Sequence, residues 1–200
     1  ISFPSLQEIG NLGDSDTGKT IDTLVMNAGT KAVPICFAFH ETRKLLVIGD
    51  ARGNLALFDL NLRPDNGEPL SPSSVLLRAH QKEHVNGIVW SADNTIISIG
   101  NDGCVHECAV DFKGKLLSLL SVQAASFTGI DHVWKDSADS IILAGYYGNS
   151  LAVVDRSVGR EVFRMDTGGR QRSHDLFVPK ADSGGIMGLA ISVNRKDGRS

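Results

Sequence analysis

The chain has 200 residues, 42% of them hydrophobic and 22% charged, with 20 Lys and Arg against 23 Asp and Glu for a net charge of −3. This globular composition excludes wholesale disorder, and the longest apolar runs, such as Leu45 to Ile48, fall far short of the roughly 20 residues a membrane-spanning helix needs. Three cysteines cannot all pair and no basic leader precedes an apolar stretch, so a reducing, cytoplasmic setting without membrane contact is expected.

In chain order, residues 1–32 complete no unit; Thr23-Leu24-Val25-Met26 reads as the outer strand of a preceding one. Gly13-Asp14-Ser15-Asp16-Thr17-Gly18-Lys19-Thr20 satisfies the phosphate-loop pattern, which brings backbone amides, a Lys and a hydroxyl onto phosphate and magnesium. No buried strand leads into it, and Asp14 and Asp16 set negative charge where a polyphosphate would lie. A surface loop is the expectation, with a nucleotide-hydrolysing enzyme using Lys19 and Thr20 as the alternative from the enzyme class.

A repeating unit then begins: a strand, a second apolar strand ending in Gly, a tight polar turn, a third strand and an outer fourth. The first copy runs Ile35 to Phe39, Lys44 to Gly49, the turn Asp50 to Gly53, Leu55 to Asp59, and Val75 to Leu77. The second runs Val85 to Trp90, Thr95 to Gly100, the turn Asn101-Asp102-Gly103, Cys104 to Val110, and Lys115 to Leu120. The third runs Ile130 to Lys135, Ser140 to Gly145, the turn Tyr146 to Asn149, Leu151 to Asp155, and Glu161 to Met165. The middle-strand glycines at 49, 100 and 145 recur at the spacing of propeller blades. Apolar, β-branched runs bounded by Gly, Asp, Asn and Ser are strand signals, and no window shows helical periodicity.

The expected fold is therefore all-β, a β-propeller portion of about three complete blades and two partial ones. Its divisions are 1–32 for the end of one blade, 33–78, 79–120 and 121–166 for three full ones, and 167–200 for the start of another. Propellers of this spacing close with roughly seven blades, so a longer parent protein is expected. Asp50 and Asp102 are the expected structural turn residues, since a carboxylate there accepts neighbouring hydrogen bonds.

Two further patterns mimic metal sites. His80-Gln81-Lys82-Glu83-His84 has the order of an inverted zinc-peptidase motif, but zinc would need both imidazoles on one helical face. Strand ends at Arg78 and Val85 leave no room for that helix, so His80 is expected to pack between blades. Cys104, His106 and Cys108 share one strand face, yet the two sulfurs are about 13 Å apart, too far for a single metal. Buried reduced cysteines are expected. No metal, cofactor or catalytic triad is read from the sequence; in particular no Gly-x-Ser-x-Gly elbow occurs.

From Arg156 to the end, nine Lys and Arg stand against five Asp and Glu, or +4, which leaves 11 against 18, or −7, for residues 1–155. The basic end is a candidate surface for an anionic partner.

The strand endings Phe58-Asp59 and Val154-Asp155, the pair Ala79-His80 and the turn Gly100-Asn101-Asp102-Gly103 resemble WD repeats. Cys108 and Val154 stand where that family carries its Trp. Over residues 116–180 the likeness narrows. Val122 to Lys135, Ser140 to Tyr146, Leu151 to Val154, Glu161-Val162 and Gly168-Gly169-Arg170-Gln171-Arg172-Ser173-His174 resemble the large WD-repeat proteins that accompany the tRNA wobble-nucleotide 2′-O-methyltransferase. Their Gly-Gly-x-His-Arg-Ser-Trp-like segment is matched at Gly168, Gly169, Arg172 and Ser173, with Gln171 in place of His and His174 in place of Trp.

The resemblance implies a non-catalytic WD-repeat scaffold with no cofactor of its own. It would bind the methyltransferase, which carries S-adenosylmethionine, and tRNA, but no DNA. Arg156, Arg170, Arg172 and His174 are the candidate RNA or partner contacts, and the two glycines are expected to turn the chain so that Arg170 and Arg172 project from it. The alternative within the binding class is a WD scaffold of another complex, in trafficking or ubiquitin ligation.

Overall fold

Strand-forming runs separated by short polar turns can pair only with their sequence neighbours, and here they do so as successive antiparallel meanders. The computed structural model describes residues 32–62, 70–92, 94–124, 127–135 and 140–166, and the strand backbone at 171–177 and 188–194. The first sheet is β1 (Pro34–His40), β2 (Leu45–Asp50), β3 (Leu55–Asp59) and β4 (Ser74–Leu76), in that order, with a 3-10 turn at Leu60–Leu62 after β3. The second is β5 (Val85–Ala92), β6 (Thr95–Gly100), β7 (Cys104–Val110) and β8 (Leu116–Gln123); the third is β9 (Gly129–Lys135), β10 (Ile141–Tyr147), β11 (Ser150–Asp155) and β12 (Arg160–Asp166). A two-stranded ladder of β13 (Gln171–Phe177) and β14 (Gly188–Asn194) follows.

The second strands are apolar without alternation because they are covered on both faces. Every residue of β2 is buried: Leu45 and Val47 join a cluster with Val85, Ile88 and Ile96 of the second sheet, while Leu46 and Ile48 pack with Ala56 and Phe58. In β6, Ile96 faces that first junction, whereas Ile97 and Ile99 pack with Ile130, Ile141 and Leu143 of the third sheet. Removing one such side chain to Ala costs about 2–5 kcal/mol, so the stacked faces hold the sheets in order.

The recurring glycine that ends the second strand marks a close approach. A Cβ at Gly49 would lie 2.6 Å from Val85 Cγ1, and one at Gly100 would lie 2.6 Å from the His84 carbonyl. The inner strands thereby nest, β1 on β5 and β5 on β9.

The second sheet continues beyond the expected unit end at residue 120. Val105 pairs with Val122 and Cys104 with Gln123, so the ladder is three residues longer than the turn signals suggest. Among the described residues no helix is long and apolar enough to cross a membrane.

Candidate functional site

The turn between β2 and β3 is built on Asp50, which is fully buried. Its Oδ1 accepts the amides of Arg52 at 2.7 Å and Asn54 at 3.0 Å, and its Oδ2 accepts Asn54 Nδ2 at 2.7 Å. The ordered turn then holds the segment that crosses to the second sheet. Asn54 Oδ1 accepts the Arg78 amide at 2.9 Å, and the Gly53 carbonyl accepts the His80 amide at 3.0 Å. Arg78 and Gln81 adopt positive φ of 56° and 54°, a conformation that costs a side-chain-bearing residue about 1–2 kcal/mol and is offset by these bonds. The segment is a tight turn and not a helix, so His80 and His84 do not share a helical face; Glu83 and His84 are exposed.

His80, fully buried, completes the crossing. Its Nδ1 lies 3.0 Å from Asp102 Oδ1 and its Nε2 2.9 Å from Ser98 Oγ. Asp102 Oδ1 also accepts the Cys104 amide at 3.0 Å. On the neighbouring strand, His106 meets Ser121 Oγ through Nε2 at 2.8 Å and stacks edge-on against His80, with ring centroids 4.8 Å apart. Two buried atoms in this cluster have no hydrogen-bond partner: Asp102 Oδ2 and His106 Nδ1.

Burial pushes the Asp102 carboxyl upward, but the His80 hydrogen bond, the Cys104 amide and positive charge on His80 and His106 together hold it below its ordinary value. Burial, and then charge on His80, lower His106, against the opposite pull of Asp102. Burial also drives the Cys36 thiol up to about 12 and Cys108 up to about 11, and raises Cys104. All three cysteines are free and stay protonated, which makes them poor nucleophiles.

Ser98, His80 and Asp102 have the hydroxyl–imidazole–carboxylate order of a nucleophilic triad. Ser98 and His80 are each 0% exposed, so no substrate can reach the hydroxyl. The role left to these bonds is mechanical: Asp50 orders the turn whose Asn54 and Gly53 hold Arg78 and His80, and His80 bonds Asp102, so the turn of one sheet is tied to the turn of the next. Ser98 was not legible in the sequence, because it sits inside the apolar run of β6. Cys108 is fully buried among the apolar residues of the first junction.

Arg156 Nη2 lies 2.9 Å from Glu107 Oε2, so this side chain ties the third sheet to the second. Arg172 and His174 lie inside β13, opposite Val193 and Ile191. Arg172 is thus in a strand and not at a sharply turned entrance, because pairing with the β-branched β14 begins already at Gln171. Gly168, Gly169 and Arg170 lie outside the described residues, as do the phosphate-loop pattern with Lys19 and Thr20 and the strand expected at Thr23-Met26.

No family model and no curated protein matches the chain. Among solved structures it is similar to the β-propeller domain of Cps50 (Swd1) from Myceliophteria thermophila, with a TM-score of 0.51 at 12% sequence identity. The match covers 71% of this chain and 46% of that domain, so the chain spans about half the length of its structural neighbour. The stacked four-stranded sheets are blades of a β-propeller.

Proposed function

We propose that the protein is a non-catalytic WD-repeat scaffold that assists tRNA 2′-O-methylation by binding a methyltransferase and tRNA. The observation that carries this reading is the Gly168-Gly169-x-x-Arg172-Ser173 segment following the third blade, within the stretch of the chain that is positively charged. A rigid propeller suits the role. Its blades fix where the loops and edges lie, and arginines contacting phosphates hold register without reading sequence. Arg170 and Arg172 carry the RNA contact, with His174 beside them, while Arg156 is engaged by Glu107. A surface for the protein partner is offered by β8, whose Leu117, Leu119, Leu120 and Val122 are exposed on an edge strand that has no charged residue. Edge strands are commonly blunted by charge; β12, by contrast, carries Arg160, Glu161, Arg164 and Asp166.

The test is the R170A/R172A double variant of the full-length protein. RNA affinity should fall and the salt dependence of binding should flatten by about 0.7–0.9 per lost contact, with folding little changed. Wild-type affinity and salt slope in a folded double variant would remove these arginines as RNA contacts. Loss of methyltransferase binding with RNA binding intact would make the segment a protein-docking site.

A further inference from the structure

We propose that β8 pairs edge to edge with β8 of a second copy of this chain, giving a two-fold symmetric dimer when no other protein occupies that strand. The proposal takes from the scaffold reading only that β8 is a docking edge; the dimer needs neither tRNA nor methyltransferase. Among the outer strands of the three four-stranded sheets, β4 is three residues long and β12 is charged, both of which blunt an edge. β8 has neither protection. It is eight residues long, uncharged and free of Pro, and every residue from Leu117 to Gln123 is exposed.

Its pairing with β7 sorts the side chains. Leu117, Leu120 and Val122 stand opposite Ala109, Glu107 and Val105, which share one face of β7, while Ser118, Ser121 and Gln123 stand opposite Cys108, His106 and Cys104 on the other. Leu119 is the extra residue of the bulge between them. The order Leu117-Ser118-Leu119-Leu120-Ser121-Val122 therefore reads apolar, Ser, apolar, apolar, Ser, apolar in both directions. An antiparallel second copy centred between Leu119 and Leu120 sets Leu117 against Val122 of the partner subunit, Ser118 against Ser121 of the partner subunit, and Leu119 against Leu120 of the partner subunit. Each contact occurs twice. In a regular strand Leu117 and Val122, five positions apart, would lie on opposite faces; the bulge puts them on one, so the two-fold joins apolar face to apolar face and hydroxyl face to hydroxyl face. A regular guest strand has no residue to match the bulge, and a second copy brings one. Lys113 and Lys115 lie beyond the paired stretch, so no like charges meet within it. The Leu116 amide is already taken by Ser74 Oγ at 3.0 Å, which ends the pairing at Leu117.

A six-residue ladder is a small interface beside the roughly 1,200–2,000 Å² of stable complexes, so the dimer should depend on concentration. Sedimentation velocity of the full-length protein, without RNA or methyltransferase, should move from monomer to dimer as concentration rises from nanomolar to high micromolar. It should stop there, because a two-fold contact closes on itself. L119K removes an apolar contact twice over and should raise the dissociation constant by roughly tenfold or more; V122K replaces it should L119K fail to fold. Mixing the L119K and L119E proteins should restore an association that neither shows alone. A monomer at every concentration would overturn the proposal and leave the edge to the methyltransferase. A dimer equally stable in the folded variant, or assembly beyond the dimer, would overturn it too.

Discussion

The two blade junctions share an apolar design and differ in how their polar ties are made. Between the first and second sheets, the Asp50 turn holds the crossing segment through Asn54 and the Gly53 carbonyl, and a fully buried His80 of that segment bonds to Asp102. Between the second and third, Asn86 Nδ2 donates to the Ile130 carbonyl at 2.8 Å, Lys135 Nζ to the Ser91 carbonyl at 2.9 Å, and Arg156 pairs with Glu107. The Arg156 and Glu107 side chains are 30% and 29% exposed, and solvent screens such a pair. The third sheet has Tyr146 to Asn149 where the others have a turn Asp, so no turn carboxylate stands at that position. Equal strand patterns therefore do not imply equal junctions: the first carries bonds whose loss orphans buried groups, and the second carries the more exposed Arg156–Glu107 pair.

The largest expected effect follows from removing the centre of the clamp. D102A leaves His80 Nδ1 and the Cys104 amide without their acceptor, and unfolding free energy should fall by about 1–3 kcal/mol. Urea unfolding of the variant beside wild type measures this; an unchanged midpoint would mean that water satisfies those donors and that the first junction is no tighter than the second.

A smaller effect should come from acid. His106 is lowered in the folded state from its ordinary 6.5, so the unfolded chain takes up a proton first. The stability it confers is complete above pH 6.5 and is lost as pH falls through the folded value. Asp102, lowered from 3.8, adds a second loss below pH 3.8 by the same linkage. H106Q should remove the first slope and keep the second. An identical pH profile in wild type and H106Q would break the link between the clamp and these two groups.

The blades were legible because stacked sheets demand unbroken apolar second strands and polar turns, as in Leu45 to Asp50 and Thr95 to Gly100. Less legible were features set by pairing. Asp59 ends β3, Asp155 ends β11, and Asp111 directly follows β7. In all three the Asp accepts the amide two residues on, at 3.0 Å in Asn61, 2.8 Å in Lys113 and 2.9 Å in Ser157. A shared Asp after each third strand was the available signal, obscured in the second copy by a bulge between Glu107 and Cys108. Asp50 and Asp102 stood out as turn residues from local chemistry. Ser98 and His106 did not, because their meeting with His80 depends on a crossing turn whose positive φ at Arg78 and Gln81 no local propensity favours.

The contrast between junctions is tested most directly by two double-mutant cycles in the full-length protein, read from unfolding free energies. One pairs H80A with D102A; the other pairs R156A with E107A. The buried pair should show a coupling of about 1–3 kcal/mol, and the half-exposed pair about 0–1 kcal/mol, with R156A alone costing no more than that. Equal couplings, or a larger one at Arg156 and Glu107, would contradict a buried polar clamp at the first junction.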